Sequence, residues 1–113
     1  MAINAGSGTL SVGRIGGQGA SGSDDEGINT VELTSSHATG ITLSGSITTS
    51  DAANNNITLT GPVVISGTVA LDTDPGSTQD GTITFTSTIR GDGDAATTDN
   101  LDIETGSGTL TFN

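Results

Sequence analysis

A short apolar pair returns along the whole chain at nearly constant intervals. The pairs are Leu10/Val12, Val31/Leu33, Ile57/Leu59, Ile83/Phe85 and Leu110/Phe112. The steps between their first members are 21, 26, 26 and 27 residues. A strand-forming unit that repeats every ~20–30 residues is typical of a solenoid, in which each repeat is one turn of a coil. The spacing predicts coils at 10–30, 31–56, 57–82 and 83–109, with a fifth beginning at 110–113.

One phrase stands near both ends of the chain. Residues 3–10 and residues 103–110 both begin with Ile and both end in Gly-Ser-Gly-Thr-Leu. Because the chain closes on the phrase with which it opens, we expect a further coil to fit at either end. Head-to-tail stacking of this kind builds open filaments when the rotation does not close. The sequence therefore predicts a homo-oligomer or filament, or a slice of a longer array.

The composition permits only a narrow core. Of the 113 residues, 30% are hydrophobic, the aromatic residues are two Phe, and Ser and Thr together number 34. The apolar residues are mainly Ile, Leu and Val at alternate positions, which is the pattern of half-buried strands. The length indicates one domain, residues 1–113.

Three short strands are predicted in each coil. The clearest set is 57–60, 62–65 and 68–71, separated by Gly61 and Gly67. Glycine accepts the positive φ that a sharp corner needs. Two alternatives remain open: a β-sandwich, which also has short strands and Gly-rich turns, and a partly disordered fragment. One-residue Gly corners are too short for ordinary two-residue hairpins, and they favour an all-β parallel β-helix, or β-solenoid.

The charge is strongly acidic. Thirteen acidic residues face two basic ones, and the formal net charge is −11. Binding to nucleic acid or to an anionic membrane surface depends on Lys and Arg, so neither is expected as a partner. No stretch approaches the ~18 apolar residues of a membrane span, and the absence of Cys excludes a disulfide framework.

Several strand phrases resemble a known class of protein. Examples are Gly8-Thr9-Leu10-Ser11-Val12, Gly81-Thr82-Ile83-Thr84-Phe85 and Gly108-Thr109-Leu110-Thr111-Phe112. They are similar to the strand repeats of large bacterial surface proteins, namely filamentous-haemagglutinin-like adhesins and autotransporter passengers. The resemblance implies a right-handed parallel β-helix, a location outside the cell or at its surface, and an elongated structural role without catalysis. The resemblance transfers no functional residues. A carbohydrate or a host surface is the partner class that we expect.

Acidic loops are the candidate metal sites. Calcium takes six to eight oxygen ligands, and Asp pairs at alternate positions on Gly-rich loops are a common start. The candidate calcium ligands are Asp72, Asp74, Asp80, Asp92, Asp94 and Asp99. A third acidic cluster lies at 24–26, and residues 16–21 approach the calcium-binding repeat G-G-x-G-x-D but have Ser in place of Asp. The other interpretation is that these acids are solvated turn residues. No other cofactor is predicted.

Stacked coils also predict a Thr-rich outer face. Its two predicted columns are Ser11, Glu32, Thr58, Thr84, Thr111 and Gly13, Thr34, Thr60, Thr86, Asn113. A flat array of this kind is similar to the ice-binding face of β-solenoid antifreeze proteins, although Glu32 and Gly13 interrupt it. The alternative function is therefore a binding module, calcium-dependent or acting on carbohydrate or ice, and the ordinary explanation is that Thr suits an exposed β surface.

Enzyme chemistry finds little support. A glycosidase needs two carboxylates ~5–9.5 Å apart across a cleft, and the outward pair Asp102 and Glu104 meets that distance as any D-x-E strand does. The lone His37 has no second His and no Cys to complete a metal set. Two short sequence matches carry little information about function: Arg90-Gly91-Asp92, an integrin-type tripeptide, and the glycosylation pattern that begins at Asn56.

Overall fold

Every regular element of the structure is a β-strand in the ranges described. The computed structural model describes residues 1–16, 28–75 and 80–113. The strands in chain order are β1 (Ala2–Asn4), β2 (Leu10–Val12), β3 (Val31–Thr34), β4 (Ile41–Leu43), β5 (Ile47–Thr48), β6 (Ile57–Thr60), β7 (Val63–Ile65), β8 (Thr68–Asp72), β9 (Ile83–Phe85), β10 (Ile89–Gly91), β11 (Asn100–Glu104) and β12 (Leu110–Phe112).

The strands form three parallel sheets. The first sheet has the order β1-β3-β6-β9-β12, the second β10-β7-β4-β2 and the third β11-β8-β5. Successive strands of the chain lie in different sheets, and each strand pairs in parallel with its counterpart one turn away. The molecule is a β-solenoid of about four coils, as the apolar spacing predicts. The sandwich alternative is wrong, because its hairpins are antiparallel.

The core is a set of apolar columns, each column being the residues that occupy one position in successive coils. Val31 pairs with Ile57 and Ile57 with Ile83, and all three side chains are fully buried. The residue after each points outward, so Thr58 and Thr84 are half-buried. Removing one such aliphatic side chain from water contributes ~1.5–3 kcal/mol, and the stack repeats this gain in every coil.

Glycine at two corners lets the chain turn within one or two residues. Gly61 has φ 114° and Gly67 has φ 83°, both in the region that side chains disfavour. A β-carbon at Gly61 would also overlap the carbonyl oxygen of Ser35 in the neighbouring coil. The prediction of glycine corners between β6, β7 and β8 is confirmed.

The predicted coil starts hold for four of five pairs. Val31, Ile57, Ile83 and Leu110 lie in one column of the first sheet. Coils 2 to 4 each contribute three strands, one to each sheet. We therefore define coil 2 as 31–56, coil 3 as 57–82 and coil 4 as 83–109, and β12 begins a fifth coil.

The predicted start of the first coil at Leu10 is wrong. Leu10 and Val12 lie in the second sheet, where they pair with Ile41 and Leu43 rather than with Val31 and Leu33. The place beside Leu33 belongs to Ile3 in β1, so coil 1 covers residues 1–30. Two apolar residues with one polar residue between them fit a strand of any of the three sheets. The repeat spacing alone therefore assigned Leu10 and Val12 to the wrong sheet.

The repeated phrase is a local turn and not a repeated coil position. Its first copy connects β1 of the first sheet to β2 of the second, and its second copy connects β11 of the third sheet to β12 of the first. Both copies have the same conformation: Gly6 has φ 55° and Gly106 φ 56°. The N–H of Gly8 donates to the carbonyl of Ala5 at 2.9 Å, and that of Gly108 to the carbonyl of Thr105 at 2.7 Å.

Candidate functional site at the ends of the solenoid

The two ends of the stack are the places where the pairing pattern stops. Among the described strands, β10, β11 and β12 at the C-terminal end each pair on one side only, and so do β1 and β2 at the N-terminal end. The outer edges of these strands present backbone N–H and C=O groups that a further strand can pair with. Both ends are therefore templates for another coil.

Burial changes sharply along a single column. Ile3, Leu33, Leu59, Phe85 and Phe112 occupy one position in five successive strands. The three central side chains are 0% exposed, whereas Ile3 is 38% and Phe112 is 60% exposed. The ring of Phe112 stacks on Phe85, with centroids 5.3 Å apart and planes 6° from parallel. Each end thus exposes the same apolar surface that the centre buries.

A pocket opens at the C-terminal end between the second and third sheets. It has a volume of about 200 Å³, and its apolar walls are Ile65, Ile89 and Leu101. The inward column of Val12, Leu43 and Ile65 ends at Gly91, which has no side chain. The pocket is therefore the space that an inward side chain of a further coil would fill.

Asp99 fixes the loop between the second and third sheets of coil 4. Its two carboxylate oxygens accept hydrogen bonds from the N–H groups of Gly67 at 2.9 Å and Asp92 at 3.0 Å. The first bond links coil 4 to coil 3, and the second closes the loop upon itself. This carboxylate is thus a structural clamp on the loop.

Asp92 and Asp94 have similar roles in that loop. The carboxylate of Asp92 accepts the N–H of Asp94 at 2.8 Å and the hydroxyl of Ser66 at 2.7 Å, and Asp94 accepts the N–H of Ala96 at 2.9 Å. The hydrogen bond from the backbone of Asp94, followed by that from Ser66, holds the pKa of Asp92 below its usual value of 3.8. Donors that favour the ionised form have this effect.

The loop that follows β8 places the other three predicted calcium ligands. Asp72 accepts the N–H of Asp74 at 2.8 Å, and Asp80 accepts the hydroxyl of Ser107 from the next coil. Within residues 1–16, 28–75 and 80–113, no three acidic or histidine side chains are grouped to hold a metal ion. Calcium binding by the six Asp residues stays a prediction. The acidic cluster at 24–26 and residues 17–21 of the partial repeat lie outside the described residues.

The Thr-rich face is present with a corrected first row. Thr58, Thr84 and Thr111 are aligned in the first sheet, but Ala2 and not Ser11 pairs with Glu32. Likewise Asn4, and not Gly13, lies beside Thr34. The uninterrupted part of the face therefore covers coils 3 and 4 and the start of the fifth coil.

The remaining short matches are engaged within the fold. The Nδ1 atom of His37 accepts the N–H of Thr39 at 3.0 Å on an exposed loop, as expected of a loop residue. The Oδ1 atom of Asn56 accepts the N–H of Thr82 at 2.8 Å. The acid of the Arg90-Gly91-Asp92 tripeptide is the loop residue described above, so its carboxylate already has internal donors.

Asp102 and Glu104 are both exposed on β11. They lie on the outward side of a strand and line no part of the pocket described above. The pair therefore lies on the outer surface of the third sheet.

Sequence reasoning missed the end pocket, because it depends on which sheet each pair occupies. The sequence signal is Gly91, the residue that breaks an otherwise apolar column.

None of the described segments is a helix with the length and hydropathy needed to cross a membrane. The chain matches no protein-family model, no curated protein and no solved structure.

Proposed function

We propose that this chain is a structural, non-catalytic segment of an extracellular adhesin, stalk or filament, extended end to end by further coils. The observation that carries the proposal is the unbroken parallel register of the first sheet through five strands, whose outer edges pair with no other described strand. A solenoid of this kind gains stability from contacts between neighbouring repeats. Its role as a rod follows from that one-dimensional construction.

Two features of the stack support a mechanical role. Hydrogen bonds between strands run along the solenoid axis, with one strand spacing of ~4.7–4.9 Å per coil. Pulling on the ends therefore loads many parallel bonds in three sheets together. The fully buried column of Leu33, Leu59 and Phe85 adds apolar contacts between coils, and sliding one coil over the next would break them.

The resemblance of the strand phrases to bacterial surface proteins supports a place outside the cell. The net charge of −11 keeps a strand-rich surface soluble. The partner class that this proposal implies is a host or carbohydrate surface contacted by other parts of such an assembly.

A covalent tandem tests the proposal. A second copy of residues 5–113 is joined directly after Asn113, because Asn4 and Asn113 both follow the aligned residues Ile3 and Phe112. We expect one cooperative unfolding transition at a higher Tm than that of the single chain, since the repeat interface is gained. A matched tandem with Leu10→Asp in its second copy should lose the gain. Two independent transitions at the original Tm in the unmodified tandem would contradict the proposal.

The Thr-rich face supports a second candidate, a module that binds ice or carbohydrate. Thr58, Thr84 and Thr111 form an aligned outward column, which gives a regular row of hydroxyl and methyl groups. The expected signature is binding that Thr84→Asp abolishes without changing the Tm by more than a few degrees. Retention of ice-growth inhibition or glycan binding in that variant would dismiss this face as the site.

A further inference from the structure

The strands β1 and β12 occupy the same position in the coil. Ala2 pairs with Glu32, and the same column continues through Thr58 and Thr84 to Thr111. One residue further along, Ile3 and Phe112 share the column of Phe85. If coil 1 of a second copy is placed directly over coil 4 of the first copy, the second copy's β1 and the first copy's β12 would occupy the same position. The two strands therefore compete for it.

At the C-terminal end, the first sheet extends one strand further than the other two sheets. This difference limits how a second copy can bind there. The first sheet has five strands and the second has four. At the C-terminal end, β12 extends the first sheet by one strand beyond coil 4. The second and third sheets end at β10 and β11, and no described strand lies beyond them. Simple addition of an intact copy onto β12 would leave a one-strand gap above β10 and β11. A close fit therefore requires one of the two competing strands to leave.

The two competing strands are both largely exposed, but their apolar side chains differ. Ile3 is 38% and Phe112 is 60% exposed, and Phe112 covers Phe85 through a parallel ring stack at 5.3 Å. Loss of β12 would uncover Phe85 and loss of β1 would uncover Leu33, both of which are fully buried. In the shared place, the ring of Phe112 covers more apolar surface than Ile3 does, so β1 is the strand expected to leave.

We infer that a second copy of this chain binds the C-terminal end by strand exchange, deepening the proposed end-to-end extension and resting upon it. Residues 5–16 of the second copy lie over coil 4, and β12 of the first copy replaces the second copy's β1. Phe112 is then sandwiched between Phe85 of its own chain and Leu33 of the second copy.

The pocket at this end fits the second copy's β2. Leu10 begins the column that runs through Ile41 and Val63 to Ile89, and Val12 begins the column that ends at Gly91. In the assembly the second copy's Leu10 covers Ile89, and its Val12 lies over Gly91. Val12 thereby supplies the apolar side chain that this position lacks.

Charge adds a directional contact. The residues that follow β2, β4, β7 and β10 are Gly13, Ser44, Ser66 and Asp92, and the 2.7 Å bond from Ser66 to Asp92 shows that these positions adjoin. The second copy's Gly13 comes to lie over Asp92, and its exposed Arg14 meets the loop that carries Asp92, Asp94 and Asp99. Arg90 lines the same pocket, and the three carboxylates outnumber it, so the second copy's Arg14 meets a surface that is negative on balance.

Sedimentation analysis of paired variants tests the exchange. Ile3→Asp and Phe112→Asp alter the two ends of one column. Phe112→Asp should abolish association, whereas Ile3→Asp should leave it equal or stronger because β1 has left its place. Deletion of residues 1–4 should strengthen association by about tenfold, since the competing strand is gone. Equal loss in the two point variants, or a deletion variant that remains monomeric at high concentration, would overturn the inference.

The charge contact has its own matched pair. Arg14→Gln and Thr60→Glu change the net charge equally, but Thr60 is exposed on the side of coil 3, away from both ends of the stack. Only Arg14→Gln should weaken association, and the difference should shrink at high salt because screening weakens exposed charge pairs. Equal weakening by both variants would contradict the predicted contact between Arg14 and the loop that carries Asp92, Asp94 and Asp99. The covalent tandem separates the two claims, because a cooperative tandem with monomeric single chains retains the rod and rejects the exchange.

Discussion

Coils 3 and 4 follow the same strand pattern but are buried to different degrees. In coil 3, Val63, Val69 and Leu71 are at most 1% exposed, whereas their partners Ile89, Leu101 and Ile103 in coil 4 are only half-buried. The side chains are alike in size and character, and the difference is the missing coil above. Burial in this fold is therefore a property of neighbouring coils more than of the residue itself.

The most damaging change should be a charge inside a central column. Ile57 is 0% exposed, so Ile57→Asp leaves an unpaired carboxylate in an apolar core and should cost more than about 4 kcal/mol of unfolding free energy. Its neighbour Thr58 points outward, and Thr58→Asp should cost less than about 1 kcal/mol. Thermal and denaturant unfolding followed by circular dichroism measures both. Equal damage would refute the inside-outside assignment.

Truncation of the two aromatic residues compares centre and end directly. Phe85 is fully buried and Phe112 is 60% exposed in the same column. We expect Phe85→Ala to lower the free energy of unfolding by about 3–5 kcal/mol and Phe112→Ala by about 1 kcal/mol. Denaturant titrations at a concentration that keeps the chain monomeric give both values. If Phe112→Ala costs as much as Phe85→Ala, the end is covered in solution.

The smallest effect concerns the hydrogen bonds that the Asp92 carboxylate accepts from Asp94 and Ser66 in the loop of coil 4. The pKa of Asp92 is lower in the folded chain than its usual value, so ionised Asp92 stabilises the fold above pH ~4, and this gain is lost as pH falls through the folded pKa. The Tm difference between the parent chain and Asp92→Asn should be largest above pH ~5 and should close in stronger acid. A difference that stays constant or widens in acid would show that the charge has no part in the clamp.

Much of the fold follows from the sequence because inward positions must be apolar and must repeat. The column of Val31, Ile57 and Ile83 is predictable on that ground, as are the glycine corners at Gly61 and Gly67. The sheet assignment of Leu10 is not, because a pair of apolar residues separated by one polar residue fits a strand of any of the three sheets. The phrase shared by residues 3–10 and 103–110 encodes a turn, and identical turns serve different corners.

The candidate sites follow the same division. Acidic residues in the 92–99 loop are predictable as loop residues, but their targets are not, since Asp99 binds the N–H of Gly67 in another coil. The alternation of Asp92 and Asp94 with Gly is a sequence signal for Asp side chains that bond to the backbone two residues on. Predicting the end pocket requires knowing that Gly91 ends an apolar column. That column is defined only by the register of β7 with β10, which the sequence does not show.

The in-register stacking of successive coils is tested most directly by a disulfide between two of them. The parent chain has no Cys, and Thr58 pairs with Thr84 on the outer face. Neighbouring parallel strands place paired Cα atoms about 4.8 Å apart, within the range that a disulfide spans. In the Thr58→Cys/Thr84→Cys variant we expect an intramolecular disulfide on mild oxidation, detected as a mass loss of two hydrogens without dimer formation. Thiols that stay reduced in the folded variant, or that link only separate chains, would contradict the stacked winding.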